Sequence, residues 1–260
     1  MSRIRQAFMS LKEKKEKAFV PYIMAGDGGL EVLGERIVFL EKCGATAIEI
    51  GIPFSDPVAD GPTIQQAGIR ALERGTSLRD ILNAVGQIRP KVQIPLIIMT
   101  YMNPIIALGV DEFVNLANEA GIDGCIIPDL PIEEEEIIDP LLERVDIDLI
   151  RLVTLTSSLE RLTAISERGR GFLYAVTVTG ITGARSGFDE KLGHFLQQVK
   201  QLSSIPVLAG FGISSPEHVK EVSQYCDGVI VGSKIVDLFA KNDHQGIETL
   251  IQSSKTVTTK

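Results

Sequence analysis

Glu49 and Asp60 lie eleven residues apart in the run Ala47-Ile48-Glu49-Ile50-Gly51-Ile52-Pro53-Phe54-Ser55-Asp56-Pro57-Val58-Ala59-Asp60-Gly61-Pro62. If Ala47 to Gly51 is a strand, alternation sends Ile48 and Ile50 one way and Ala47, Glu49 and Gly51 the other. Branched aliphatics suit a face packed on helices, so Glu49 points with the small residues into an interior where an unpaired charge is expensive. The following loop is stiffened by Pro53 and Pro57 and brings a second acid, Asp60, close to the first. Burial should raise the pKa of Glu49 so that it carries a proton, while Asp60, nearer water, stays ionised; that division suits acid–base chemistry. The bland alternative, a paired core acid beside an Asx-turn residue, stays open at this point.

A second set of residues suits an anion. The turns Gly210-Phe211-Gly212-Ile213-Ser214-Ser215, Val231-Gly232-Ser233-Lys234 and Gly180-Ile181-Thr182-Gly183-Ala184-Arg185-Ser186-Gly187 are rich in glycine and hydroxyls. Glycine lets backbone amides approach a phosphate, and Gly232-Ser233 leading into a helix aims free N–H groups at it. No GxxxxGK[ST] occurs, so a phosphorylated small molecule is expected rather than a nucleoside triphosphate. His194, His218 and His244 fall on or after helices, away from strand ends, and Glu133 to Glu136 reads as a solvated helix start.

Eight βα units position these groups. Apolar runs begin near residues 19, 47, 94, 124, 149, 172, 206 and 228, each followed by a helical pattern, and an extra helix spans Ile4 to Leu11 ahead of the first. Helices are expected across Leu30 to Cys43, Ile64 to Leu72, Leu78 to Ile88, Glu112 to Ala120, Glu133 to Glu143, Leu159 to Arg168, Lys191 to Leu202, Glu217 to Ser223 and Ile235 to Phe239. Ser157 with Glu160 has capping-box spacing, and Ser215-Pro216 reads as a cap and first position. Strands this apolar imply a parallel sheet covered on both faces, and the count is that of a single (β/α)8 TIM barrel. A doubly wound open sheet is disfavoured, since no GxGxxG follows the first strand. One domain over 1–252 is expected, with a polar, frayed tail over 253–260. In a barrel the C-terminal strand ends carry the active site, which also brings Tyr22, Asp27, Thr100, Tyr101, Asn103, Pro128, Asp129, Tyr174, Thr182 and Arg185 to the same end.

Composition narrows the class. The chain has 260 residues, 44% hydrophobic and 23% charged, with a formal net charge of −8. That balance argues against nucleic acid. Cys43, Cys125 and Cys226 lie far apart, which suggests neither a disulfide framework nor zinc and fits a reducing cytoplasm. No apolar run reaches the roughly 20 residues needed to cross a bilayer, and no signal core follows Arg3 and Arg5.

The segments AIEIGIPFSDPVADGPTIQ, YMNPI, GCIIPDLPIEE, VTGITGARSG, AGFGISSPE and GVIVGSKIV, in this order, resemble the alpha subunit family of tryptophan synthase, with the likeness running over residues 3 to 250. The resemblance implies a barrel lyase that cleaves indole-3-glycerol phosphate by a retro-aldol reaction, giving indole and glyceraldehyde 3-phosphate without metal or organic cofactor. Carried over by motif, it implies that Glu49 shuttles protons at the indole ring carbon and the glycerol hydroxyl, while Asp60 holds the indole N–H. It further implies that Gly183, Phe211, Gly212, Gly232 and Ser233 bind phosphate, that Tyr174 and Thr182 lie near the acids, and that Tyr22, Thr100 and Ile127 line the indole pocket. A pyridoxal-phosphate beta subunit would receive indole through a tunnel in an α2β2 complex. Gly28-Gly29, Tyr22 and Met102 depart from the family's common residues and touch neither acid. A free-standing lyase, a retired barrel that only activates a partner, and a phosphosugar isomerase are the competing readings; the Glu49–Asp60 segment argues against the last.

Overall fold

The computed structural model describes residues 1–177, 190–210 and 212–256. Nine strands are present: β1 (Ala18–Met24), β2 (Ile48–Gly51), β3 (Leu96–Met99), β4 (Gly124–Ile126), β5 (Asp148–Leu149), β6 (Arg151–Thr154), β7 (Leu173–Val176), β8 (Val207–Gly210) and β9 (Gly228–Val231). All ladders are parallel, in the order β5-β4-β3-β2-β1-β9-β8-β7-β6. The two ends of that order, β5 and β6, are consecutive pieces of one extended segment interrupted only at Ile150. The first piece pairs with β4 and the second with β7, so the segment joins both edges and the sheet closes as a (β/α)8 barrel. The fifth of the eight expected strands is thus two short ones.

Arg151 accounts for how that interruption is held. Its buried guanidinium donates to both oxygens of Glu135 (2.9 and 2.8 Å), to Asp139 (2.8 Å) and to the carbonyls of Leu149 and Arg168. Glu135 is therefore not on the solvated face expected for residues 133–136. The segment Ile132–Ile137 winds as a 3-10 helix and gives way to the α-helix Asp139–Arg144 at Pro140, rather than one helix from 133 to 143. The tighter winding turns Glu135 inward to the arginine.

Side chains sort by strand period. Ile48, Ile50 and Ile98 join Leu33, Ile37, Leu82 and Val85 in a layer between strands and helices. Val20, Tyr22, Ala47, Ile97, Ile126, Tyr174, Leu208 and Ile230 fill the interior. The helix Arg3–Lys14 closes the bottom of the barrel: Ile4 is fully buried, and Phe8 meets Phe172 at 5.8 Å between ring centres. β3 and β8 begin two residues later and one residue later than expected. Each starts just after a proline, and each entering amide donates to a carboxylate on a neighbouring segment, Leu96 to Asp123 and Val207 to Asp227, both at 2.9 Å.

Three further readings are corrected. Ser158, not Ser157, caps the helix Leu159–Glu167, accepting from the Arg161 amide. Two helices, Met102–Leu108 and His244–Ser253, were not anticipated. The packed chain runs past 252, because Ser253 and Ser254 are buried with their hydroxyls donating to the carbonyls of Leu250 and Ile251; the rest of the expected tail, 257–260, lies outside the described residues. Ser215 does cap the helix Pro216–Val222.

Truncating Ile4 removes interior packing at the face opposite the strands' C-terminal ends. Ile4→Ala should cost about 2–5 kcal/mol, seen as a lower denaturant midpoint with unchanged slope, while turnover per folded molecule stays at the parent level. An unchanged midpoint would show that the helix does not seal the barrel.

Candidate active site

Glu49 occupies the second position of β2, between Tyr22 of β1 and Ile97 of β3 in register, with its side chain in the interior as the alternation requires. It is 1% exposed, and among the described residues its Oε2 has no hydrogen-bond partner. Burial, and then the negative field of Asp60, push its pKa up to about 8, so the carboxyl carries a proton at neutral pH.

Asp60 arrives from the loop that follows. Its amide donates to Pro57 O, closing a turn, and Gln65 reaches back to its carbonyl at 2.8 Å. Gly61 and Pro62 then start the helix Pro62–Glu73. Asp60 is itself buried, at 6% exposed, though less completely than Glu49 at 1%. Burial raises its pKa to about 6 against the opposing hydrogen bond from Tyr101, which still leaves it ionised at neutral pH.

Tyr101 is the positioning residue that sequence reasoning did not single out. Just past β3, its ring lies 5.4 Å from that of Phe54, and its hydroxyl accepts from the Ala59 amide at 3.0 Å while serving Asp60. One side chain thereby holds both ends of the loop. The only hint in sequence was its place at a strand end. Asp129, beyond β4, holds the next segment by accepting from the Met102 amide at 3.0 Å. Asp27, beyond β1, accepts two bonds from Arg70 of the helix that follows Asp60.

Tyr22 and Tyr174 reach the same interior from β1 and β7. Burial, and then the charges of Asp60 and Glu49, drive both phenols well above their ordinary pKa, which places all four groups within one field. Thr100 is buried at the end of β3 with its hydroxyl toward the Tyr101 carbonyl. Ile126 faces the interior at the end of β4, and Ile127, just beyond it, packs with the larger apolar cluster.

At the glycine-rich turns expected to bind an anion, Gly212 adopts φ +80°, a conformation that side chains disfavour, and Gly232 follows β9 as the cap of the helix Ser233–Ala240. The Gly232 carbonyl accepts from Ile235 and Val236, leaving the Ser233 and Lys234 amides at the open end of the helix. Thr182, Gly183 and Phe211 lie outside the described residues. Among the described residues no group of three or more His, Cys, Asp or Glu could hold a metal. His244 stacks on Phe39 at 4.9 Å, His218 lies 3.5 Å from the Ser214 hydroxyl, and His194 rides on the helix Glu190–Leu202, all away from the acids. The three cysteines are free and buried.

A buried acid that holds a proton, facing an ionised one, can give and take a proton at one substrate atom while stabilising positive charge at another. Comparison with known proteins agrees with that chemistry. The model of the family described as tryptophan synthase alpha chain matches residues 8–260. The tryptophan synthase alpha chain of Bacillus anthracis is 51% identical over 255 residues, covering 98% of this chain and 97% of its own. A solved tryptophan synthase alpha chain from Legionella pneumophila is 35% identical with a TM-score of 0.88, over 99% of this chain and 97% of that one. A chain in an aminoacrylate-bound tryptophan synthase from M. tuberculosis is 33% identical with a TM-score of 0.88, over 98% and 100%. Identity at this level along the whole barrel, with the acid pair in place, means that the chain belongs to the tryptophan synthase alpha chain family.

Proposed function

We propose that Glu49 and Asp60 are the groups with which this chain cleaves indole-3-glycerol phosphate to indole and glyceraldehyde 3-phosphate. The observation that carries the reading is two buried carboxyls in one barrel interior whose pKa values are pushed apart, to about 8 and about 6. Protonated Glu49 gives its proton to the indole ring carbon that bears the glycerol chain. Ionised Asp60 accepts the ring N–H and stabilises the positive charge that results. Glu49, now a carboxylate, takes the proton of the adjacent glycerol hydroxyl. The O–H electrons form the aldehyde, and the breaking carbon–carbon bond returns its pair to the ring. Protons and electrons balance with Glu49 restored, and the ring nitrogen serves as the electron sink, so this sequence calls on no metal or organic cofactor. The phosphate sits on the Gly212 and Gly232-Ser233 amides, with Tyr22, Thr100 and Tyr174 around the ring.

The chain works with a tryptophan synthase beta subunit, which carries pyridoxal phosphate and takes the indole onward. Val58, Ile106 and Leu159, on segments that follow β2, β3 and β6, are 73%, 55% and 57% exposed. Large apolar side chains left open around the active-site end support a docked partner over a free-standing lyase. Buried free thiols support a reducing, cytoplasmic setting, and among the described residues no helix is long and apolar enough to cross a membrane.

Indole release from indole-3-glycerol phosphate should be weak with the purified chain and strongly raised by the beta subunit; full activity alone would point to the free-standing lyase. Turnover should be greatest between about pH 6 and pH 8, where Asp60 is ionised and Glu49 protonated. Glu49→Gln should lower cleavage by roughly 10²–10⁴-fold. It should also stabilise the fold above pH 4.5. The folded chain keeps a proton on Glu49 up to about pH 8 that the unfolded chain has lost, so stability falls as pH rises through that window. Removing the acid removes the slope, worth up to roughly 4 kcal/mol at pH 8. Normal turnover in Glu49→Gln would take Glu49 out of the mechanism.

Ser233→Asp adds a negative charge in the first turn of its helix, where the fold tolerates acids and a phosphate does not. KM should rise about tenfold or more with kcat little changed. An unchanged KM would move the phosphate elsewhere.

A further inference from the structure

Two tyrosines reach the level of the acid pair, and each passes through space that a glycine on the next strand leaves open. A Cβ on Gly51 would overlap the Tyr22 hydroxyl, and one on Gly210 would overlap the Tyr174 ring. Gly51 pairs in register with Met24 and Gly210 with Val176, two residues beyond each tyrosine. Both phenols therefore lean along the strands toward the C-terminal end of the barrel.

The Tyr22 hydroxyl is buried, and among the described residues its acceptor is the thioether sulfur of Met24 at 3.9 Å, a weak one. Among the same residues its register partner Glu49 leaves Oε2 without a donor. A phenol lacking a strong acceptor and a carboxyl oxygen lacking a donor, on adjacent strands and facing one interior, are complementary to a single hydroxyl group. Such a group gives its proton to the carboxylate side and accepts from the phenol. Tyr22 stays protonated throughout, since burial and the fields of Asp60 and Glu49 drive its pKa well up, so it acts only as a donor.

We propose that Tyr22 is a catalytic residue whose hydroxyl donates a hydrogen bond to the substrate oxygen that Glu49 deprotonates. The proposal rests on the reading of Glu49 as the acid–base group. As the O–H bond breaks to Glu49 and its pair forms the C=O bond, negative charge builds on that oxygen while the ring takes the electrons of the breaking carbon–carbon bond. The phenol bond strengthens at that moment, and so favours the transition state over bound substrate. It also selects substrates with a hydroxyl on the carbon joined to the ring. Phenylalanine at this position keeps the shape and loses the donor.

Tyr22→Phe tests this, in the full chain assayed with its beta subunit. Turnover should fall about 10- to 100-fold, while affinity for the analogue with hydrogen in place of that hydroxyl stays at the parent value. A kcat within about twofold of the parent, or a loss of affinity for the deoxy analogue as large as the loss in turnover, overturns the proposal. Glu49→Gln in the same assay separates the two readings. An active Glu49→Gln overturns the acid–base assignment; an inactive one beside a fully active Tyr22→Phe overturns only the tyrosine.

Discussion

Period two along a parallel strand lets only every second residue reach the interior of a closed barrel, and the acid pair exists because Glu49 holds one of those places. The register Tyr22–Glu49–Ile97 fixes its height as well as its direction, through ladders on both sides of β2. A one-residue slip would send the carboxyl into the helix-facing layer beside Ile48 and Ile50, where it would meet only aliphatics. Rigid strand pairing thus supplies the precision that proton transfer needs, and the loops have only to bring the second acid to it.

Burial does the electrostatic work. An isolated carboxylate in such an interior is expensive enough that Glu49 holds its proton past neutrality, whereas Asp60 stays ionised because burial raises it only to about 6, with Tyr101 acting against that rise. The same residue steadies the loop by its contact with Phe54 and its bond from Ala59, so the geometry and the charge of Asp60 have one origin. A change at Tyr101 therefore reaches the chemistry without any contact with the ring-carbon proton. Gly51 and Gly210 add the matching steric condition, since the space they leave is what admits two phenols beside two acids.

How much of this was legible follows from the range of each signal. Alternation along β2 is local, so the inward Glu49 could be read from five residues, and the count of apolar runs sufficed for the barrel. The split at Ile150 could not, because it depends on two neighbours, β4 and β7, claiming successive halves of one segment. Glu135 read as a solvated acid because its burial depends on Arg151, sixteen residues away, and on a 3-10 winding that Pro140 brings to a close. The extent to which Asp60 is covered was hidden for the same reason: Tyr101, which lies over it, follows another strand.

The two ends of the barrel divide stability from chemistry in the kind of carboxyl each employs. At the bottom, Asp123 and Asp227 accept from strand-entry amides, and Asp123 also takes bonds from Arg3 at 2.8 Å and Arg89 at 3.2 Å. Those carboxylates meet donors on several sides, which makes them anchors. At the top, Glu49 Oε2 meets none among the described residues. An acid whose bonding capacity is fully met by the fold has no reason to exchange a proton with a ligand, whereas one left short by the fold is completed only when a substrate supplies the missing donor. The contrast between satisfied and unsatisfied acids within one sheet therefore marks the reactive end of the barrel on physical grounds, independently of any motif.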